Sequence, residues 1–148
     1  MKLPQQLKKN VLSELEFIIK KMKEEPDIAK KIYFYSAVSG ALERASRFYF
    51  DKELLIANAI MNMSYGIIND RVNHVKMGDT IVPFPEILLN QLIESVSELK
   101  QAIEEDKAVY PALEKAMGIA FVTTGPGFYT RSFLDYVETQ QRGQEELK

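Results

Sequence analysis

Residues 54–69 read LLIANAIMNMSYGIIN, 16 positions without one charged side chain. Ile56, Ile60, Met63 and Ile67 recur at helical spacing and make one apolar row. Met61, Tyr65, Ile68, Val72 and Val75 make another, about 100° around the axis. The remaining face carries Asn58, Asn62, Gly66, Asn69 and Asn73, which fall within a wedge of about 80°. The stretch is too short and too polar to cross a bilayer. A solvated helix face normally carries charge, and this one carries amides. The pattern predicts a helix from Asp51 to Met77 that is covered on most sides, either inside a bundle or in a subunit interface. Asn in such a place fixes register and partner number at some cost in stability. Asp51 suits the N-cap and Glu53 the first turn.

Upstream, Pro26 restarts the chain for a helix from Asp27 to Phe50. Ile28, Ile32, Tyr35 and Leu42 form one row, and Phe34, Val38, Ala41, Ala45 and Phe48 form a second. Between them lie Ser36, Ala37, Ser39, Gly40, Ala41, Ala45 and Ser46. Gly40 in mid-helix costs about 0.5–1 kcal/mol relative to Ala, and close approach of another backbone is the expected compensation. No strong breaker separates this helix from the next, so the sequence leaves open whether the two form one rod. The first helix should run from Pro4 to Glu25, with Leu7, Val11, Leu15, Ile18 and Met22 as its seam and Pro4 at a position that needs no N–H.

Downstream, Gly78 ends the Asn-bearing helix and Pro85-Glu86 opens a fourth, reaching about Asp106. Leu88, Leu92, Val96, Leu99 and Ile103 face inward there. Pro111 starts a short fifth helix, with Leu113, Ala116, Met117, Ala120 and Phe121 on one face, and Gly125-Pro126-Gly127 ends it. A last helix, Thr130 to Gln140, offers Phe133, Leu134 and Val137. No stretch shows strand alternation beyond Thr80-Ile81-Val82, which Pro83 cuts short. The expected fold is all-α: an antiparallel bundle of four long helices plus one or two short C-terminal helices, one domain over 1–140, with a flexible charged tail over 141–148.

Composition closes several chemical routes. The chain has 148 residues, 46% of them hydrophobic and 27% charged, with a formal net charge of −2 and no cysteine. That suits one globular core. It excludes disulfides, thiolate zinc sites and cysteine nucleophiles. It supplies no overall field for DNA or an anionic membrane. With no apolar leader after MKLPQQLKK, a cytoplasmic protein is expected.

Few residues suggest chemistry. His74, the sole histidine, lies one helical turn from Asp70, and Ser64 or Tyr65 could complete a proton relay. Helix-terminal pairs of this kind are commonly structural. Arg131 follows the Gly125–Gly127 turn, as an anion-binding residue would, without the ending of a P-loop. Glu94, Glu98 and the run Glu104-Glu105-Asp106 read as a solvated acidic face, since the Glu-x-x-His pairs of di-metal bundles are missing. No metal, no cofactor and no catalytic group is implied.

Arg44 and Arg47, one turn apart after Glu43, sit in YSAVSGALERASRFYF. In that pattern and in length the chain resembles the helical HEPN proteins, which implies RNA or nucleotide handling by Arg44, Arg47, Arg71, His74 and Arg131. The family's nuclease motif separates Arg from His by four to six residues, whereas Arg71-Val72-Asn73-His74 has two between, so its nuclease chemistry does not carry over. In length, helix layout and cysteine-free composition the chain is also similar to uncharacterised small helical-bundle proteins of archaea, a likeness that implies no activity. The favoured reading is a homo-oligomer or protein-interaction module, with Gly40, Asn58, Asn62, Asn69 and Asn73 at its interface.

Overall fold

A computed structural model describes residues 1–76 and 84–124, without the side chains of 73–76 and 123–124. All the elements in it are helices: α1 (Gln5–Glu24), α2 (Ile28–Ser46), α3 (Lys52–Lys76), α4 (Glu86–Glu104) and α5 (Tyr110–Thr124). The last predicted helix, over 130–140, the tail over 141–148 and the Thr80–Val82 segment lie outside the described residues.

Aspartates cap two helix starts, Asp51 as the sequence suggests and Asp27 in addition. The Asp27 carboxylate accepts from the Lys30 amide at 3.0 Å and caps α2. Asp51 accepts from the Leu54 amide at 2.9 Å and caps α3. Each meets a backbone donor that has no partner within its own helix. The Asp51 cap also answers the rod question: α2 ends at Ser46, and α3 is a separate helix that starts at Lys52. At the other end of the chain, α4 stops in a Schellman turn. Lys107 N–H reaches the Ala102 carbonyl at 2.8 Å and Asp106 N–H the Ile103 carbonyl at 3.3 Å. Asp106 takes the left-handed position with φ 56°, a conformation that suits Gly better than any residue with a Cβ.

The helices pack in a ring, in the order α1, α2, α3, α5, α4 and back to α1. Directions follow from side-chain contacts. Lys31 at the start of α2 donates to the Met22 carbonyl near the end of α1, so that pair is antiparallel. Tyr35 on α2 stands level with Ser64 on α3. Lys8 near the start of α1 meets Asp106 beyond the end of α4 at 3.0 Å. Along α3 and α5 the levels rise together. Glu53 accepts from the Val109 amide just before α5, and Ser64 donates to the Ala116 carbonyl within it. These two neighbours are parallel.

The expected all-α fold is found, and the expectation of four long helices with a short fifth leaves the place of that fifth helix open. The fifth helix, 15 residues long, stands between α3 and α4 as a full member of the ring. An odd number of helices around one core cannot alternate in direction throughout, so one adjacent pair must run parallel. The α3–α5 pair takes that place, and α4 is the crossover between them.

The core is continuous and apolar. From α1 it takes Val11, Leu15, Ile18 and Met22, and from α4 Leu92, Val96, Leu99 and Ile103, the seams read from the sequence. For α3 the second predicted row holds in part: Met61, Ile68 and Val72 are buried together with Leu54, Ala57 and Ser64, and Tyr65 is half-buried, whereas Ile56, Ile60 and Ile67 of the first row are half-buried and its Met63 is 55% exposed. Phe48, assigned inward on α2, is 82% exposed.

One polar chain crosses this core. Ser64 Oγ donates to the Ala116 carbonyl at 2.9 Å. Its single proton is thereby used, so the Tyr35 hydroxyl, 2.8 Å away, donates to Ser64. Three helices from three parts of the sequence are tied by two hydrogen bonds, which satisfy both buried hydroxyls. Burial pushes the Tyr35 phenol far above its ordinary value of 10.0, with the bond to Ser64 a smaller, opposing influence.

Candidate interaction surface

The residues proposed for anion handling do not share a site. Arg44 and Arg47 lie exposed near the end of α2, each against a carboxylate: Arg44 reaches Glu14 on α1 at 2.7 Å, and Arg47 reaches Glu43 one turn back at 2.8 Å. Arg71 faces inward on α3 and is fully buried. With Tyr35 level with Ser64, Arg44 stands near Leu55, and Arg71 is roughly 25 Å further along the axis. Arg131 and the side chain of His74 lie outside the described residues. Ser64, a conceivable partner for His74, is fully buried and committed to the Tyr35–Ala116 chain.

Nor do the acidic residues converge on a cation. Lys115 of α5 sits between Glu98 at 2.9 Å and Glu94 at 3.1 Å, and these two carboxylates raise its pKa, Glu98 first. Sequence spacing put Glu94 and Glu98 one turn apart. It could not show that the next helix delivers an ammonium group between them. Among the described residues no three acidic or histidine side chains gather as a metal would require.

What the fold does present is a helix face. Around α3, the Leu54–Ile68 seam points inward, Ile60 turns toward α5, and the opposite arc carries Lys52, Leu55, Ala59, Asn62, Met63, Gly66 and Asp70, all exposed. Between Lys52 and Asp70 this arc has no charge. The strip from Leu55 to Gly66 is about 17 Å long at 1.5 Å per residue. Of the predicted interface residues on α3, Asn62 is exposed on it, and Asn58 and Asn69 are half-buried on its α2 side. The side chain of Asn73 lies outside the described residues. The amide face is therefore on the surface of the chain and not within its bundle.

The strip continues over α5. Ile60 of α3 joins Tyr110, Leu113, Met117, Gly118 and Phe121 in a shallow apolar groove where Glu114 is the sole charge. Tyr110 and Phe121 are exposed. Sequence reading missed Leu55, Ala59 and Met63 as surface residues because Met63 fitted an apolar row. The usable signal was the charge gap itself, bracketed by Lys52 and Asp70.

Gly40 behaves differently from its expectation. Among the described residues, a Cβ there would meet only the Arg44 guanidinium, at 3.4 Å, so none of their backbone beyond α2 itself approaches it. It is half-buried, next to the cleft of about 360 Å³ that Leu7, Val11, Ala41, Ala45 and Phe48 form between α1 and α2, with Glu14 and Arg44 at its rim.

No described helix is long and apolar enough to cross a membrane. Comparison of the chain with family models, curated proteins and solved structures gives no match.

Proposed function

We propose that the protein acts by association, as a homo-oligomeric helical module whose contact surface is the outer face of α3. The observation that carries this reading is the uncharged exposed arc from Leu55 to Gly66, bearing Leu55 and Met63 at 42% and 55% exposure. Charged side chains keep a monomer's surface solvated, and a contiguous uncharged stretch with large apolar groups is the usual mark of an interaction site. The groove beside it, with Tyr110 and Phe121, supplies the aromatic component common at interface centres.

Light scattering on the eluting chain tests the proposal. A mass that is a clean multiple of 17.0 kDa supports it, and replacing Asn62 and Asn69 together by Leu then changes the assembly size or its stability. A 17.0 kDa species at every concentration, with no change in the Leu variant, overturns it.

A further inference from the structure

The two charges that bracket the strip are opposite in sign and lie on one line. Lys52 and Asp70 are 18 positions apart, five helical turns, so they point the same way from α3. Both are exposed, and among the described residues neither makes an ion pair. One end of the uncharged strip is therefore positive and the other negative.

Such a face is complementary to itself in one orientation. We infer that α3 pairs antiparallel with α3 of a second copy about a two-fold axis near Met61, with Lys52 of each copy against Asp70 of the other. A two-fold contact uses the same patch on both subunits, so each pair of opposed residues occurs twice. In the register that matches Lys52 with Asp70, Ala59 lies opposite Met63 of the second copy, and Gly66 opposite Ile56. Small residues thus face large ones at these two levels, and Leu55 lies opposite Ile67 as an apolar pair. The space above Gly66 is open: a Cβ built there meets nothing within 4 Å. Asn62 falls one position from the axis and meets its own counterpart, where an amide can both donate and accept. A parallel pairing would set Lys52 beside Lys52 and Asp70 beside Asp70, which repel. The α3 strip alone is small against the ~800 Å² per partner of a stable complex. The two-fold therefore also lays the Tyr110 and Phe121 ridge of α5 along its copy.

This inference rests on the self-association proposed above, and the test separates the two. Dimer dissociation is measured by sedimentation for the full chain and for Lys52→Glu, Asp70→Lys and the double variant, with circular dichroism to confirm that each stays helical. Single reversals should weaken the dimer roughly tenfold, since each turns two attractive contacts into repulsive ones, and the double variant should recover. Because the chain has no cysteine, Lys52→Cys and Asp70→Cys can be mixed under oxidising conditions. The expected product is the mixed 52–70 disulfide dimer. A dimer that ignores the charge reversals and crosslinks 52 to 52 overturns the antiparallel register while leaving self-association intact. A chain that stays monomeric throughout overturns both.

Discussion

The outer surface of α3 and that of α4, with the edge of α5 that faces α4, are built from the same kinds of helix and treat charge in opposite ways. On α4 and α5 the outward positions carry Glu94, Glu98, Glu104 and Lys115, and Lys115 bridges the first two. Each such contact is worth little, about 0–1 kcal/mol, but the surface as a whole stays wet. On α3 the same positions carry Leu55, Ala59, Asn62 and Met63. Both helices bury a comparable inner seam, so the core does not account for the difference. Outward residues report what a helix meets outside its own fold, and on the proposed reading α3 is the helix that meets a second apolar surface.

Substitutions can break that comparison at graded cost. Leu54 and Leu55 are neighbours, fully buried and 42% exposed respectively. Leu54→Ala should lower unfolding free energy by about 2–5 kcal/mol through lost burial and a cavity. Leu55→Ala should change monomer stability by less than about 0.5 kcal/mol while weakening association. Denaturant titration at low and high protein concentration separates the two, and equal losses at both positions would erase the distinction between seam and strip.

Next in size is the polar chain through the core. Ser64→Ala leaves the buried Tyr35 hydroxyl without its acceptor and should cost about 1–3 kcal/mol. Tyr35→Phe removes the group with its need, and should cost less. The two variants also differ in alkali. Because the folded phenol titrates far above 10.0, the unfolded chain releases this proton first as pH rises. Stability should therefore be fully present below pH 10 and fall progressively above it. Stability curves between pH 9 and 11 should show that extra decline in the parent chain and lack it in Tyr35→Phe.

Smaller again is the end of α4. Asp106→Gly relieves the left-handed strain, worth about 1 kcal/mol, and gives up the exposed contact to Lys8 at 3.0 Å, worth less. A modest rise in melting temperature is expected. A fall would mean that the Lys8 contact outweighs the strain. Least of all should be Lys20→Ala, which removes a 3.9 Å exposed pair with Glu24 and should leave the melting temperature within about a degree of the parent.

Much of this architecture was legible before any coordinates. The cap at Asp51, and the inward seams of α1 and α4, follow from local chemistry and from spacings of three and four. The α3 seam was legible only in part, through Met61, Ile68 and Val72, because periodicity ranks rows by how apolar they are. Here Ala57 and Ser64 face inward while Met63 faces out. A small residue and a hydroxyl can be core when a neighbour comes close or supplies a carbonyl, as Ala116 does for Ser64. The ring order was illegible for a similar reason: the insertion of α5 between α3 and α4 is set by contacts more than 50 positions apart, such as Glu53 with Val109. Of the candidate surface, the charge gap was visible at once. Its position relative to solvent was not, because an uncharged helix can lie inside a fold as well as between folds.

The parallel α3–α5 pair also has a kinetic meaning. Helices α1, α2 and α3 are linked by short turns and can collapse as successive hairpins, each closing little chain. The bonds from α3 to α5 instead span 52 and 56 positions and cannot form until α4 has crossed back. Closing so long a loop costs entropy before any contact repays it. During that interval the flank of α3 that α5 will cover stands open beside the strip already facing outward. A chain in which α5 has not yet docked therefore exposes the covered flank of α3 and the outer strip together, as one continuous apolar surface.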